Sequence, residues 1–316
     1  MNLITFIIPM YNEERNIESC IQCLKNQTNQ KFNVIFVDDG SVDSTLNKLD
    51  EYLMQEISFN YKILQQKNQG AAAARKNGIK NAETDFVMIL DCDDECSDNL
   101  VDQIYIRYEE YEDVDIILPF MKIQNEDKTW SNLSLYTNET VLKPLDCVFH
   151  SLNGWSVHGC FAIKKNVIEK SYFDYELYNV NKVNYINNDE VVTRLNFLNS
   201  NKIVRCNAYY YYCYNPKSTT KRVNEKKYLM INNAYILYEL FINDSKLKSV
   251  VQEEFISVIW EVFRYMRRYK EELENLKEWE VFLRENIRNI KYFNFISGIS
   301  IKKKIQLTLL KLVYLF

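Results

Sequence analysis

The sequence predicts an α/β fold with parallel strands in its first half and a helical region behind it, and three observations carry that expectation. Over the first hundred residues, short apolar runs alternate with stretches whose apolar residues recur at helical spacing, the pattern of parallel strands joined by crossover helices. Each apolar run ends in a cluster of polar residues. From about residue 225 the period is helical throughout, in a stretch rich in Glu, Lys, Leu and Tyr.

Taken in order, strands are expected at residues 3–8, 33–37, 61–64 and 85–90, with helices at 13–26, 43–56 and 71–81 between them. The strand ends read Pro9-Met10-Tyr11-Asn12-Glu13, Asp38-Asp39-Gly40-Ser41, Lys67-Asn68-Gln69-Gly70 and Asp91-Cys92-Asp93-Asp94. Ligands of open α/β sheets bind beyond the carboxyl ends of the strands, so these four segments are the place to look for a site. Residues 114–214 mix β-type segments at 116–119, 159–163 and 203–214 with a helix at 188–199. Helical segments at 251–269 and 271–289 follow. The expected division is a domain over 1–224, with halves 1–113 and 114–224, and a helical region over 225–316; a change of period alone sets the boundary.

Composition narrows the class. With 47% hydrophobic and 26% charged residues and only 6 Gly and 4 Pro in 316, the chain reads as compact and globular rather than disordered. A net charge of -4 supplies no basic excess to neutralise phosphates, so nucleic acid is not an expected partner. Cys20 and Cys23 form a CxxC on a helix, and Cys92 and Cys96 flank the acidic turn, yet no second CxxC or His pair follows at zinc spacing. The eight cysteines are therefore read as packed thiols in a reducing cytoplasm. Residues 1–10 carry no basic stretch or cleavage site, and no run approaches the ~18 apolar residues that span a bilayer. The chain is expected to be soluble or peripheral.

The strongest chemical signal is Asp91-Cys92-Asp93-Asp94, three carboxylates in four residues directly after a strand. Mutual repulsion makes such a cluster costly without a cation, and Mg²⁺ or Mn²⁺ bound by carboxylates keeps room for substrate phosphates. Asp is also a common turn residue; the position after a strand, in register with three other polar strand ends, favours the cation reading. Asp38 and Asp39 suit hydrogen bonds from a base edge or a ribose, with a simple capping turn as the alternative. Asn68 and Gly70 precede a helix opened by small residues, with Arg75 one turn inside, either meeting diphosphate oxygens in bidentate fashion or lying at the surface of a tightly packed helix.

Pro9-x-Tyr11-Asn12-Glu13, Asp38-Asp39-Gly40-Ser41-x-Asp43, Asn68-x-Gly70-x-x-x-Ala74-Arg75-x-x-Gly78 and Asp91-x-Asp93-Asp94, in that order and spacing, closely resemble glycosyltransferase family 2. The resemblance covers residues 1–94. It implies the GT-A fold, a Rossmann-like nucleotide-binding architecture with a mixed central sheet, and an inverting transfer from a nucleotide-sugar donor, UDP by default, to a glycan acceptor. It further implies that Pro9, Tyr11, Glu13, Asp38, Asp39, Asn68, Gly70 and Arg75 face the donor, with Asp91, Cys92 and Asp93 at the ribose and diphosphate. Asp93 and Asp94 are the implied metal ligands. Tyr185-Ile186-Asn187-Asn188-Asp189-Glu190 resembles the acidic pair that opens a helix in this family, which points to Asp189 as the base, with Glu190 the second choice because the pair reads Asp-Glu where many relatives have Glu-Asp. Trp155 and His158 stand where relatives contact the acceptor sugar, against the alternative of a core Trp and a locally satisfied His. Lys221 and Arg222, in a Ser/Thr loop after a tyrosine-rich strand, are the candidate diphosphate clamp.

The C-terminal stretch from Ile299, with Lys302-Lys303-Lys304, reads either as a basic helix lying in a membrane interface, which would place the protein peripherally at the inner face, or as a last helix packed on the domain or against a second copy of the chain. Two rival functions stay open at this stage. A nucleotidyltransferase shares the layout but lacks here its glycine-rich loop after the first strand. A catalytically silent glycan-binding scaffold would keep the fold without needing the carboxylates. Abundant Asn, Lys, Ile and Tyr suggest a bacterial AT-rich genome, and capsule, lipopolysaccharide or other surface-glycan synthesis as the setting.

Overall fold

The computed structural model describes residues 2–179, 188–215, 223–290 and 295–315. The chain divides into two compact units, the first formed by residues 1–148, 155–177 and 192–215, the second by 149–154, 178–191 and 216–316.

The first unit is built on one ten-stranded mixed sheet. Its strands are β1 Ile4–Met10, β2 Phe32–Asp38, β3 Asn60–Gln65, β4 Phe86–Ile89, β5 Glu95–Cys96, β6 Ile116–Gln124, β7 Trp130–Leu133, β8 Val141–Leu142, β9 Ala162–Lys164 and β10 Ile203–Tyr212. Their order is β3-β2-β1-β4-β9-β6-β10-β5, with β7 paired to β6 and β8 to β10. β3, β2, β1 and β4 run parallel, and β9 is antiparallel to both β4 and β6, so the sheet reverses direction beside β4. Phe6, Ile7, Ile8, Phe36 and Phe86 are fully buried, the near-continuous apolar composition of strands covered on both faces.

Crossover helices α1 Ile17–Lys25, α2 Thr45–Leu53 and α3 Ala71–Asn81 follow the first strands as expected, and a fourth helix, α4 Leu100–Glu110, is an addition to them. α1 starts four residues later than the periodicity suggests. Asn12 sits at φ 58, and the amides of Asn12, Glu13 and Glu14 are taken by the side chains of Ser41, Thr45 and Asp43, which holds this segment as a loop. α3 packs closely on β1 and β2 because its residues are small. A Cβ at Gly78 would lie 2.3 Å from Ile7 Cγ2. The helices α5 Pro144–Leu152 and α6 Lys165–Tyr178 and the short strands β5, β7 and β8 are additions to the elements legible in the sequence. α7 Asn188–Asn199 has the expected bounds.

In the second unit, α8 Met230–Phe241, α9 Lys248–Arg268, α10 Leu276–Asn289 and α11 Ile301–Leu315 surround a core of Ile231, Phe255, Ile259, Trp279, Leu283, Leu307 and Leu310. Trp279 is fully buried, stacks on Tyr265 at 5.8 Å, and its indole N–H reaches the Glu225 carbonyl at 3.0 Å. α10 begins five residues later than the helix expected from 271. None of the described helices is long and apolar enough to cross a membrane.

Candidate active site

The carboxyl ends of β1 to β4 come together as the parallel order requires, and their loops tie to one another through side-chain oxygens. Asn12 accepts from the Val42 amide at 2.9 Å while its own amide donates to Ser41 Oγ at 2.9 Å. Asp39 is the centre of this knot. Its Oδ1 accepts from Gln66 Nε2 at 2.8 Å and the Gln69 amide at 2.9 Å, and its Oδ2 accepts from the Gly70 amide at 2.7 Å. Asp38 accepts from the Ser41 amide at 3.2 and 3.3 Å. Both aspartates are almost fully buried. Gly40 and Gly70 have φ of 76° and 88°, left-handed conformations that suit glycine, and a Cβ at Gly40 would stand 3.0 Å from the Asn68 amide nitrogen. Tyr11 is 47% exposed at the end of β1, beside the half-buried Pro9 and Glu13.

The acidic turn after β4 is held differently. Arg75, from the second turn of α3, places one terminal nitrogen 2.9 Å from each oxygen of Asp91. Asp93 accepts at Oδ2 from Asn215 Nδ2 at 2.8 Å. Asp94, 3% exposed, accepts from the Tyr210 hydroxyl at 2.7 Å and from the Cys213 amide at 2.8 Å. Burial, reinforced by Asp91 and Asp93 and opposed by the Tyr210 and Cys213 hydrogen bonds, pushes the Asp94 carboxyl up to about 8. Burial likewise raises Asp93, against the Asn215 hydrogen bond and with repulsion from Asp91 added. Glu13 is raised by burial too, with an opposing bond from Asn16 and further repulsion from Asp93, Asp91 and Asp43. Glu13, Asp91, Asp93 and Asp94 thus act on one another, with Arg75 paired to Asp91, and among the described residues acidic groups are in excess here.

That excess is what a divalent cation neutralises. Among the described residues no group of three or more His, Cys, Asp or Glu side chains is arranged to hold a metal by itself. The arrangement instead suits a cation held by one or two carboxylates with the rest of its shell from phosphates and water, as Mg²⁺ prefers. Asp93, with a single described hydrogen bond at Oδ2, is the better placed ligand; both oxygens of Asp94 are engaged by protein donors.

The remaining expected site residues are scattered in character. Cys92 is 2% exposed with its thiol against Cys20, so only its backbone is available to a ligand. All eight cysteines are free thiols. Trp155 is 7% exposed, stacked on Phe197 at 5.7 Å with an edge contact to Tyr136 at 5.3 Å, which makes its ring part of the core. His158 is half-buried and its Nδ1 has no hydrogen-bond partner among the described residues. Asp189 and Glu190 lie in the first turn of α7, both half-buried. Lys221 and Arg222 fall outside the described residues. Asn215 and Tyr210, which hold the acidic turn, are contributions that reading the sequence missed. Strand alternation through 209–212 does mark Tyr210 as facing opposite to its neighbours, whereas nothing in the sequence marks Asn215. A groove of about 830 Å³ lined by Thr84, Asp85, Tyr108, Glu112 and Lys164 lies at the amino ends of β4 and β6, away from this chemistry.

Comparison with known proteins agrees with this geometry. The chain is 32% identical over 135 residues to glycosyltransferase GlyG of Streptococcus pneumoniae serotype 4, covering 42% of this chain and 43% of GlyG. It is 38% identical over 96 residues to the teichoic acid poly(glycerol phosphate) polymerase of Staphylococcus epidermidis, covering 30% of this chain and 13% of that protein. The matched stretch is therefore less than half the length of either relative. Among solved structures, S. aureus TarS 1-349 in complex with UDP-GlcNAc superposes with a TM-score of 0.68 at 20% identity, covering 98% of this chain and 87% of that one; the likeness is one of fold, and the fold is GT-A. The sequence profile of glycosyl transferase family 2 matches residues 5–172, more than half of the chain, and the chain belongs to that family.

Proposed function

We propose that this chain is an inverting glycosyltransferase that moves a sugar from a nucleoside-diphosphate sugar, a UDP-sugar first among them, to a hydroxyl of a glycan or lipid-linked glycan, with Mg²⁺ or Mn²⁺ at the diphosphate. The observation that carries the reading is the acidic turn at the carboxyl end of β4, where among the described residues three carboxyl groups gather and one guanidinium, that of Arg75, is paired with them. The donor of the TarS complex, UDP-GlcNAc, and the surface-polymer activity in the name of the S. epidermidis relative support a UDP-sugar and bacterial cell-surface glycan synthesis.

In this mechanism Tyr11, Asp38, Asp39, Asn68 and Gly70 shape the nucleoside end of the donor site. Arg75 exchanges part of its contact with Asp91 for diphosphate oxygens, and Lys221 and Arg222 clamp the same group from the loop after β10. Asp93 holds the cation, with Asp94 as the second candidate ligand. A cation held there would supply charge neutralisation to the diphosphate leaving group. Asp189 takes the acceptor hydroxyl proton, with Glu190 the alternative base; the freed oxygen attacks the anomeric carbon from the face opposite the diphosphate, so an α-linked donor gives a β-linked product. His158, with its unpartnered Nδ1, is a better acceptor contact than the buried Trp155. Residues 1–224 carry both donor and acceptor halves in this reading.

The free thiols suit a cytoplasmic protein. Peripheral membrane contact is assigned to α11, whose Ile301, Ile305, Leu309 and Leu312 are exposed along one face while Leu307 and Leu310 pack into the core. Lys303 and Lys311 turn inward to Ser257 and to the Ile287 and Ile290 carbonyls, which leaves Lys302 and Lys304 to meet an anionic lipid surface beside that face.

Calorimetric titration with UDP, GDP and dTDP, with and without Mn²⁺, on wild type and on Asp93→Ala tests the reading. Metal-dependent binding of one nucleotide that the substitution abolishes is the expected result. Binding of none of them would remove the transferase mechanism and leave a scaffold of the same fold.

A further inference from the structure

Successive residues of a strand face opposite sides of a sheet. Tyr209 and Tyr211 of β10 therefore point away from Tyr210, whose hydroxyl reaches Asp94. The register sets Tyr209 beside Phe120 and Tyr211 beside Lys122 on β6, Lys122 beside Asn132 and Gln124 beside Trp130 across β6 and β7, and Tyr211 beside Glu95 across β10 and β5. Directly paired residues share a face, so these side chains project together from the side of the sheet opposite the acidic turn.

They form a row of rings. Phe120 and Tyr209 lie 5.5 Å apart, Tyr209 and Tyr211 6.1 Å, and Tyr211 and Trp130 5.4 Å. Lys122 Nζ stands 4.7 Å from the Tyr209 ring centroid and 5.8 Å from that of Tyr211, and the Arg205 guanidinium lies 5.3 Å over Phe120. Trp130, 41% exposed, ends the row, and Asn132 and Glu95 are exposed beside it. Neither the Tyr209 nor the Tyr211 hydroxyl has a protein hydrogen-bond partner among the described residues. A row of half-exposed rings with an amide, an amine, a carboxylate and two phenols among them matches a pyranose chain. The C–H face of each sugar is apolar and meets the ring's negative face, while its hydroxyls need donors and acceptors at the rim.

Charge decides against a polyanion. Strong binding of a polyanion needs many Lys and Arg side chains free to neutralise its phosphates and release its counterions. Here Lys122 and Arg205 each already sit against a ring, with Glu95 alongside. We propose that this face is a glycan-binding surface separate from the transfer site, taking an uncharged or sparsely anionic oligosaccharide on Trp130 and Tyr211, with Tyr209 and Lys122 packed behind them. Its occupant in the cell is a stretch of the glycan being extended, away from the reacting hydroxyl, and that identification rests on the transferase reading above; the binding itself does not.

Titration calorimetry with a β-linked N-acetylglucosamine tetrasaccharide, a hyaluronan tetrasaccharide and a uridine octanucleotide tests it. At least one tetrasaccharide is expected to bind, to weaken tenfold or more in Trp130→Ala and in Tyr211→Ala, to recover in part in Trp130→Phe, and to bind unchanged in Asp93→Ala and Asp189→Asn. Trp130 lies on the exposed hairpin strand β7, so Trp130→Ala keeps the test usable should Tyr211→Ala fail to fold. The proposal is overturned if no tetrasaccharide binds, if only the octanucleotide binds, or if binding survives both ring substitutions and is lost in Asp189→Asn. Failure of wild type to bind UDP while tetrasaccharide binding follows the rings would remove the donor site and leave this surface standing.

Discussion

Two acidic strand ends of the same sheet, separated only by β1, behave as opposites. At the end of β2, Asp38 and Asp39 are nearly inaccessible, and the Asp39 carboxylate is filled by two backbone amides and one side-chain amide from residues 66–70. At the end of β4, Asp91 pairs with Arg75, and burial with mutual repulsion raises Asp93 and Asp94. Backbone amides satisfy a buried carboxylate without adding a mobile charge, so Asp39 works as a latch between loops while Asp38 holds its own turn through the Ser41 amide. The second cluster is left with negative charge that protein donors do not neutralise. In the proposed function, acids at a strand end are left to receive a cation only where donors among the described residues run short.

The largest expected effect is on the under-neutralised side. Asp93→Ala should lower sugar transfer by about a thousandfold or more, a loss of roughly 4 kcal/mol of transition-state stabilisation, with little change in thermal midpoint. Steady-state kinetics beside thermal unfolding checks it, and a midpoint that falls with the activity would mean that Asp93 is a latch as well. Asp39→Ala should instead lower stability, and nucleotide binding along with it. It strands the Gln69 and Gly70 amides in a buried loop, at a cost of about 3 kcal/mol in denaturant unfolding. Unchanged stability with lost nucleotide binding would break the comparison and return Asp39 to the donor-facing role that the family resemblance implies.

Much of this contrast was legible in the sequence, and the missing part has a physical cause. The β1 to β4 order, the crossover helices and the placing of four motifs at strand ends follow from periodicity and polar punctuation. Whether an aspartate is saturated does not, because the donors on Asp39 come from 27 to 31 residues downstream and those on Asp93 and Asp94 from 116 to 122 residues downstream. Cys20 and Cys23 read as incidental thiols, and the structure sets them against Cys92 and Cys96 beneath the acidic turn, where Cys23 and Cys96 sulfurs stand 3.4 Å apart. Trp155 was equally a sugar platform or a core ring until Phe197 was seen stacked on it. The helices α5 and α6 escaped notice because apolar residues in mixed segments fit strand and helix alike.

The next effect is a pH dependence. Asp94 has its carboxyl raised from 3.8 to about 8, so between those values the folded, metal-free protein holds a proton that the unfolded chain has lost. Stability must then fall as pH rises through that window, at up to ~1.4 kcal/mol per pH unit from this group. Glu13 and Asp93 are raised as well and add the same sign. Asp94→Asn keeps the size and an acceptor for the Cys213 amide while removing the titration. Thermal midpoints in chelator from pH 5 to 8 should decline in wild type and flatten in the variant; parallel declines would place the excess charge elsewhere than at Asp94.

The smallest effect separates holding the turn from neutralising it. Tyr210→Phe removes the hydroxyl that donates to Asp94 at 2.7 Å and that stands 3.4 Å from the Asp91 amide, and changes no charge. Loss of one hydrogen bond to a carboxyl should cost about 1 to 2 kcal/mol in denaturant unfolding, well below the cost of Asp39→Ala. The Tyr210 bond lowers the Asp94 value against burial, so its removal lets that value climb further, and the decline of stability with pH should reach beyond pH 8 rather than disappear. Asp94→Asn and Tyr210→Phe thus act on the same contact with opposite consequences for the pH profile. Were both to flatten it, the titrating group would be held through the hydroxyl rather than through the charge of its neighbours, and the acidic turn would resemble the latch at β2 more than the contrast allows.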